Sequence, residues 1–145
     1  MCIRDRPDTL EMRARQRRAF ARFTEIVRIL NEQGVPFLVG TDLGVPHVFP
    51  GFSVHDELGL LVNAGLTPME ALQAATANSA RALGLTDVST IKVGDVANAV
   101  LLDADPLRNI ANTTKINAVV LRGAVLTRDR LNQLLERTAA AAPSR

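Results

Sequence analysis

The sequence feature that most constrains the fold is a short apolar run, VPFLV at residues 35–39, which directly follows a long helical pattern. Across residues 8–33, apolar side chains recur at helical spacing, and Gly34 is a typical helix-terminating residue. The recurring positions are Phe20, Phe23, Ile26, Val27 and Leu30. An apolar run of this length is typical of a strand buried on both faces, as in a parallel sheet covered by helices. The sequence therefore predicts a helix at 8–33, a buried strand at 35–39 and an α/β fold.

Two more helices are predicted after an irregular loop. Residues 43–52 contain two Gly and two Pro, which excludes regular structure there. Ser53 predicts a helix start with Asp56 as a capping-box-like partner, and Gly65 predicts the end of that helix.

The second of these helices has a stronger start signal. The tetrapeptide Thr67-Pro68-Met69-Glu70 places Thr at the cap, Pro at the first helical position and Glu at the third. We expect this helix to break near Asn78 and to be followed by a short helical turn that ends at Gly84.

From Leu85 the pattern changes to that of strands. A unit of about 45 residues is too small to hold a sandwich core alone, so these strands need partners elsewhere. The predicted elements are a turn at 93–95, a strand at 96–102, a hairpin of 119–121 and 125–127 with its turn at Arg122-Gly123, and a helix at 128–138. The predicted division is a non-native leader (1–7), a helical and strand region (8–84), a β-rich region (85–128), and a terminal helix with a frayed tail (129–145).

Composition excludes several classes of protein. The chain has 145 residues, 47% of them hydrophobic, which is typical of a folded globular domain. One cysteine precludes an internal disulfide, and an aromatic content of 3% argues against stacking platforms for nucleic acid. No apolar run approaches the roughly 20 residues of a membrane span. Residues 1–36 contain eight Arg and five acidic residues, a pattern that favours a solvated helix face over a nucleic-acid or membrane contact.

Asp42 is the main candidate for chemistry. It follows the predicted strand, and the carboxyl ends of buried parallel strands are where α/β proteins place their sites. A carboxylate there could bind a divalent metal or accept a proton, or it could only cap a turn; the residues alone leave these alternatives open. His47 and His55 lack the spacing of a helical or strand ligand pair, which favours two surface histidines over metal ligands. Four other acids are interpreted as turn or cap residues: Asp103, Asp105, Glu57 and Glu70.

Three segments, taken in order, resemble a known family. They are GVPFLVGTD, HDELGLLVNAGLTPMEALQAATANSARALGL and IKVGDVANAVLLDADPL. Together they resemble the C-terminal third of amidohydrolase-superfamily enzymes, most closely the imidazolonepropionase-like and Xaa-Pro-dipeptidase-like group. The resemblance extends over about residues 8–127, and the ordered set is far more specific than GTD alone.

The resemblance implies a metal-dependent hydrolase of C–N bonds other than ordinary protein peptide bonds. Residues 35–39 would be the eighth strand of a TIM-like barrel, and residues 88–127 would belong to a small β-sandwich. Asp42 would be a metal ligand and the base that activates the hydrolytic water, which attacks an amide carbonyl. His47 and His55 lie in a region that carries substrate-loop residues in such enzymes, so both are weak substrate-binding candidates.

The departures from the family pattern are equally informative. The family's other ligands are an HxH pair on strand one, a lysine or glutamate on strand four, and histidines on strands five and six, and this sequence has none of them. The predicted fold is therefore α/β, a C-terminal fragment of a TIM-like barrel (the last helix–strand–helix units) followed by part of a small β-sandwich. The fragment is expected to be inactive alone.

The expected cofactor and partners follow from the same resemblance. The expected cofactor is a divalent metal, zinc, in the complete parent, with none bound tightly by this chain. The expected partner is a small amide, dipeptide or cyclic amide substrate, without nucleic acid or membrane; the oligomeric state stays open and the location is cytoplasmic by default. The alternative from a different class is a non-enzymatic interaction module that uses the Arg-rich helix 8–33 and exposed strand edges.

Overall fold

A computed structural model describes residues 9–85 and 91–141 of the chain. The described part is a mixture of helices and strands with a three-stranded antiparallel sheet. Its elements are α1 (Leu10–Glu32), α2 (Ser53–Asn63), α3 (Pro68–Gln73), a π-helical segment (Ala74–Asn78), α4 (Ser79–Ala82), β1 (Ala99–Leu102), a 3-10 helix (Ile110–Thr114), β2 (Ile116–Leu121), β3 (Ala124–Leu126) and α5 (Arg128–Ala141). The predicted leader, residues 1–7, lies outside the described residues.

Helix α1 confirms the predicted long helix but buries none of its side chains among the described residues. It begins with Thr9 as N-cap, whose hydroxyl accepts a hydrogen bond from the Met12 amide at 3.2 Å. It ends before Gly34, which has a φ of +72°. The apolar side chains of α1 are 38–82% exposed at Leu10, Phe20, Phe23, Ile26, Ile29 and Leu30. The described helix therefore carries an apolar surface that its neighbours leave uncovered.

The predicted strand at 35–39 is wrong as a hydrogen-bonded strand. These residues are extended, but no described strand pairs with them, and Leu38 is 51% exposed rather than buried. A strand needs a neighbouring strand to satisfy its backbone groups. Here the helical segment beside it takes that role, since the Val39 amide donates to the Ala74 carbonyl at 3.2 Å.

Helix α2 starts at the predicted residue by a different mechanism. Ser53 is its first helical residue rather than its cap, and Phe52 at the cap position makes no side-chain cap hydrogen bond. The Ser53 hydroxyl instead accepts a hydrogen bond from the Phe49 amide at 2.8 Å. The predicted capping-box-like pairing of Ser53 with Asp56 is therefore wrong, because the hydroxyl faces the loop before the helix.

The predicted helix start at Thr67 is confirmed in full. The Thr67 hydroxyl accepts from the Glu70 amide at 3.2 Å, and a Glu70 carboxylate oxygen accepts from the Thr67 amide at 2.7 Å. The Thr67 amide, and the Thr67 hydroxyl at 2.9 Å, both donate to the Glu70 carboxylate and hold the pKa of Glu70 below its ordinary value. The predicted break near Asn78 is wrong, because the helix continues through the π-helical segment into α4 and ends before Gly84.

This capping box provides a test of local stability. We expect Thr67→Ala to lower the free energy of unfolding by about 1 kcal/mol at neutral pH, because the Glu70 amide loses its acceptor and the Glu70 carboxylate loses the hydroxyl donor. Since folding lowers the Glu70 pKa, the contribution of Glu70 is present above its unfolded pKa and is lost as the pH falls through its folded pKa. Urea denaturation at neutral and acidic pH measures both effects. Thr67→Ser keeps the hydroxyl, so an equal loss in this control would contradict the capping role.

The sheet has the order β1–β2–β3, with both pairs antiparallel. The predicted hairpin is confirmed, with Arg122 at φ +49° and Gly123 at φ +81° in its turn. Two consecutive positive φ values are typical of the two-residue turn whose twist matches a β-hairpin. The strand predicted at 96–102 begins only at Ala99, and the terminal helix extends to Ala141.

One small core joins the helices to the sheet region. It centres on Leu58 of α2, Ala71 of α3 and Ile110 of the 3-10 helix. Partly buried side chains pack around it: Val39, Leu61, Val62, Leu72 and Ala75. Ile110 lies in the connection from β1 to β2, so the β-rich region contributes directly to the core beneath the extended segment.

Candidate active site

The extended segment 35–39 leads into a turn at Gly40-Thr41-Asp42, which we call the GTD turn. Three hydrogen bonds fix the approach to it. Asn78 Nδ2 donates to the Phe37 carbonyl at 3.2 Å, the Val39 amide donates to Ala74 at 3.2 Å, and the Gly40 amide donates to Glu57 Oε1 at 2.9 Å. The backbone before Asp42 is therefore held from two sides, by α2 and by the π-helical segment.

The π-helical segment supplies the acceptor for one of these contacts, the hydrogen bond from the Val39 amide. The Ala74 carbonyl accepts the Val39 amide and also the Ser79 hydroxyl, the latter at 2.7 Å. A π-helical turn shifts the regular pattern of backbone pairing, and such turns occur often at functional sites. Sequence reasoning placed a break here instead. The signal for the true structure was the polar pair Asn78-Ser79 after a run of small residues, since both side chains can bond a displaced backbone.

Asp42 itself is exposed and has a left-handed backbone, with a φ of +53°. Asp tolerates this region better than most residues, yet the conformation costs on the order of 1 kcal/mol and persists only where neighbours impose it. His47, in the same loop, is also exposed and has a φ of +71°. Backbone strain of this kind occurs often at active sites, and in this loop it falls on the candidate residues Asp42 and His47.

The two glycines beside Asp42 differ in their roles. Gly44 has a φ of +116°, a backbone conformation that favours glycine and that lets the loop turn away after Asp42. A close backbone approach at Gly40 is not seen, because a Cβ added there would meet no described atom within 4 Å. What distinguishes Gly40 is its amide, which is bound by a carboxylate 17 residues further along the chain.

That carboxylate belongs to Glu57, for which the sequence predicts a cap role at the helix start. Its Oε1 accepts the Gly40 amide, so its role is tertiary and the cap interpretation is wrong. Its Oε2 is buried and makes no hydrogen bond with any described residue. The sequence signal for a buried role was its position directly before Leu58, an apolar residue that is 4% exposed in the structure.

His55 lies in the first turn of α2 and faces the 3-10 helix. Its Nδ1 is 3.0 Å from Thr113 Oγ1, and that hydroxyl donates its proton to the Ile110 carbonyl at 2.8 Å. The hydroxyl has one proton, so both contacts are satisfied together when it donates to the Ile110 carbonyl and accepts from His55 Nδ1. His55 thus links α2 to the β-rich region, and its Nε2 is left for another partner.

The acids of the sheet region have structural partners, as predicted. Asp103 Oδ1 accepts from Asn117 Nδ2 at 2.7 Å, which ties the end of β1 to β2. Asp105 Oδ1 accepts from the Leu107 amide at 2.8 Å in the following turn. Both carboxylates therefore accept hydrogen bonds from groups near the end of β1.

The described residues do not make a complete metal site. Within 9–85 and 91–141, no group of three or more His, Cys, Asp or Glu is arranged to hold a metal ion. Catalytic zinc sites use about three protein ligands. Asp42, His47 and His55 are thus not gathered into one ligand set, and the donors in this part of the chain do not by themselves fit zinc.

The fold and site together define a class: a mixed helix and strand protein with a strained, exposed Asp at the end of an extended segment. Residues 4–126 match the sequence pattern of the amidohydrolase family, and the chain belongs to that family. This confirms the resemblance drawn from the three motif segments.

Individual relatives agree with the family assignment. The chain is 41% identical over 103 residues to an imidazolonepropionase of Deinococcus radiodurans, covering 68% of this chain and 26% of that protein. It is similar to the crystal structure of a Xaa-Pro dipeptidase with bound methionine in the active site, with a TM-score of 0.65 and 27% identity over 72% of this chain and 25% of the other. It is also similar to molinate hydrolase, with a TM-score of 0.66 and 28% identity over 82% and 29%. The chain thus spans about a quarter of the length of these relatives.

Two surface properties complete the description. None of the helices in the described part of the chain is long and apolar enough to cross a bilayer. On α1, Arg28 pairs with both Glu25 and Glu32, and its hydrogen bond holds the pKa of Glu25 below the ordinary value. Part of the arginine-rich surface is therefore neutralised within the helix.

Proposed function

We propose that this chain supplies the Asp42-bearing part of a metal-dependent hydrolase that acts on C–N bonds other than ordinary protein peptide bonds. The substrate class is a small amide, a dipeptide or a cyclic amide. The observation that carries the proposal is the position of Asp42: it ends an extended segment whose backbone is anchored on two sides, within a chain that belongs to the amidohydrolase family. The names of the relatives, imidazolonepropionase and Xaa-Pro dipeptidase, support the substrate class.

In this proposal Asp42 has two roles, as one ligand of a divalent metal, zinc, and as the general base. Its carboxylate takes a proton from the attacking water and returns it to the departing nitrogen, which is typical work for a positioned carboxylate. His47 and His55 are weaker candidates for substrate contacts. For His55 the atom that could reach a substrate is Nε2, because Nδ1 is occupied by Thr113.

The proposal further states that this chain alone is inactive, since one carboxylate does not hold a catalytic metal. The chain would be the C-terminal part of a TIM-like barrel followed by part of a β-sandwich, and the remaining ligands would come from residues other than those described. A cytoplasmic location and the absence of nucleic-acid and membrane partners belong to the same proposal.

Calorimetric titration with zinc tests this statement directly. We expect the chain and its Asp42→Asn variant to bind Zn²⁺ equally weakly, because the other ligands are missing. Asp103→Asn is the matched control, since its carboxylate is already bonded to Asn117. Tight binding that Asp42→Asn abolishes and Asp103→Asn leaves intact would show a complete site within this chain, and would contradict the proposal.

A second candidate function is a non-enzymatic interaction module. The observation that favours it is the exposed apolar surface of α1, with Phe20 at 55% and Phe23 at 66% exposure, beside arginine side chains. Size-exclusion chromatography and circular dichroism separate the two ideas. A cooperative monomer favours the module, whereas an aggregating or partly folded chain favours a part of a larger barrel.

A further inference from the structure

We infer that Glu57 is a positioning residue for Asp42: its carboxylate clamps the Gly40 amide and so imposes the left-handed backbone of the GTD turn. The inference rests on the proposed function for the claim that Asp42 is the reactive group. It assigns Glu57 no contact with substrate or metal.

The hydrogen bond from Gly40 to Glu57 joins an irregular segment to a helix. Gly40 lies two residues before Asp42 in an irregular stretch, and its amide donates to Glu57 Oε1 at 2.9 Å. Glu57 lies on α2 directly before Leu58, which is 4% exposed and central to the core. Since a helix anchored by a buried leucine moves little, the position of the carboxylate is set by the core, and the position of Gly40 is set by the carboxylate.

The buried Oε2 argues that Glu57 is not present for stability alone. Glu57 Oε2 is desolvated, and within the described part of the chain no hydrogen bond compensates for that loss. A polar group that breaks this rule in a folded chain calls for an explanation, and functional sites are where such violations concentrate. A charge-assisted bond to one backbone amide is the benefit that is visible, and it falls on the turn that carries Asp42.

The left-handed backbone of Asp42 is a conformation that needs a restraint to persist. A non-glycine residue at a φ of +53° returns to negative φ unless its surroundings prevent this. Val39 is fixed by Ala74, and Gly40 is the next amide fixed by another part of the chain. Release of Gly40 would remove this tertiary restraint and leave the turn to the longer, local hydrogen bond from the Val45 amide to the Asp42 carbonyl at 3.4 Å. Asp42 could then relax, which would redirect its carboxylate.

Solution NMR of the full chain tests the inference without an activity assay. In Glu57→Ala we expect the Gly40 amide to exchange with solvent about tenfold faster, because it loses a charge-assisted hydrogen bond. The Asp42 Cα and Cβ shifts should move from left-handed toward extended values, while the methyl signals of Leu58 and Leu61 stay unchanged. In Glu57→Gln the amide oxygen still accepts from Gly40, so both reporters should stay close to those of the unaltered chain.

The matched control is Asp56→Asn, which removes the same charge from the neighbouring, exposed position and should leave Gly40 and Asp42 unaffected. Unchanged Gly40 and Asp42 signals in Glu57→Ala would overturn the inference, as would a Glu57→Gln variant that behaves like Glu57→Ala. If Glu57→Ala does not fold, Glu57→Asp decides: its shorter side chain must release Gly40 where Glu57→Gln retains it. Neither the amide exchange rate nor the chemical shifts depend on hydrolysis. The experiment can therefore contradict the positioning role of Glu57 without contradicting the proposed hydrolase function, and the reverse also holds.

Discussion

Asp42→Asn is expected to lower kcat by about 10³-fold or more in a hybrid enzyme whose remaining barrel comes from a relative of this chain. The enzyme is a chimera of the Deinococcus radiodurans imidazolonepropionase in which the part of this chain that matches that protein, 41% identical over 103 residues, replaces its equivalent. Asparagine keeps the size of the side chain but cannot take a proton from water, and it is a poorer metal ligand than a carboxylate. Steady-state kinetics of the chimera, with the substrate of that imidazolonepropionase, measure kcat.

Metal analysis of the same proteins separates the two roles of Asp42. Retained metal with lost turnover points to the general base, and lost metal points to the ligand. Asp103→Asn is the control, because Asp103 bonds Asn117 at the sheet end and its change should alter kcat only about twofold or less. An active chimera whose turnover is insensitive to Asp42→Asn would remove Asp42 from the chemistry.

Leu58→Ala should give the largest loss of stability, about 3 kcal/mol in the free energy of unfolding. Leu58 is 4% exposed and contacts the core from α2, so truncation leaves a cavity between the helices and the 3-10 helix. Leu60→Ala removes the same atoms from the same helix at 46% exposure, and we expect it to cost less than about 1 kcal/mol. Urea denaturation followed by circular dichroism compares the two, and equal losses would contradict the assignment of the core.

The helices were predictable because their signals are local. A periodic apolar pattern and a Gly stop predicted α1, and the capping box at Thr67 predicted the start of α3. The hairpin was predictable for the same reason, since Arg122-Gly123 can adopt the two positive φ values that its turn requires. Each of these signals acts within a few residues of chain, where sequence reasoning is strongest.

The errors share a physical cause as well. The strand predicted at 35–39 has no strand beside it in the described chain, and a strand is defined by its partner. Glu57 was interpreted as a cap because capping is the local use of an acid near a helix start, yet its partner is the Gly40 amide, 17 residues away. The predicted break near Asn78 was in fact a π-helical segment, whose displaced carbonyl binds Val39.

The residue pattern alone was sufficient to identify the family, because an ordered set of motifs is a property of the linear chain. The same pattern made Asp42 a candidate, and its role stays a prediction. It was also sufficient to place most helices, since caps and periodicity act locally. Only the tertiary structure revealed how the GTD turn is held: by Glu57 from α2, by Ala74 and Asn78 from the π-helical segment, and by a core that includes Ile110. Those contacts join residues far apart in the chain, and it is folding that brings them within bonding distance.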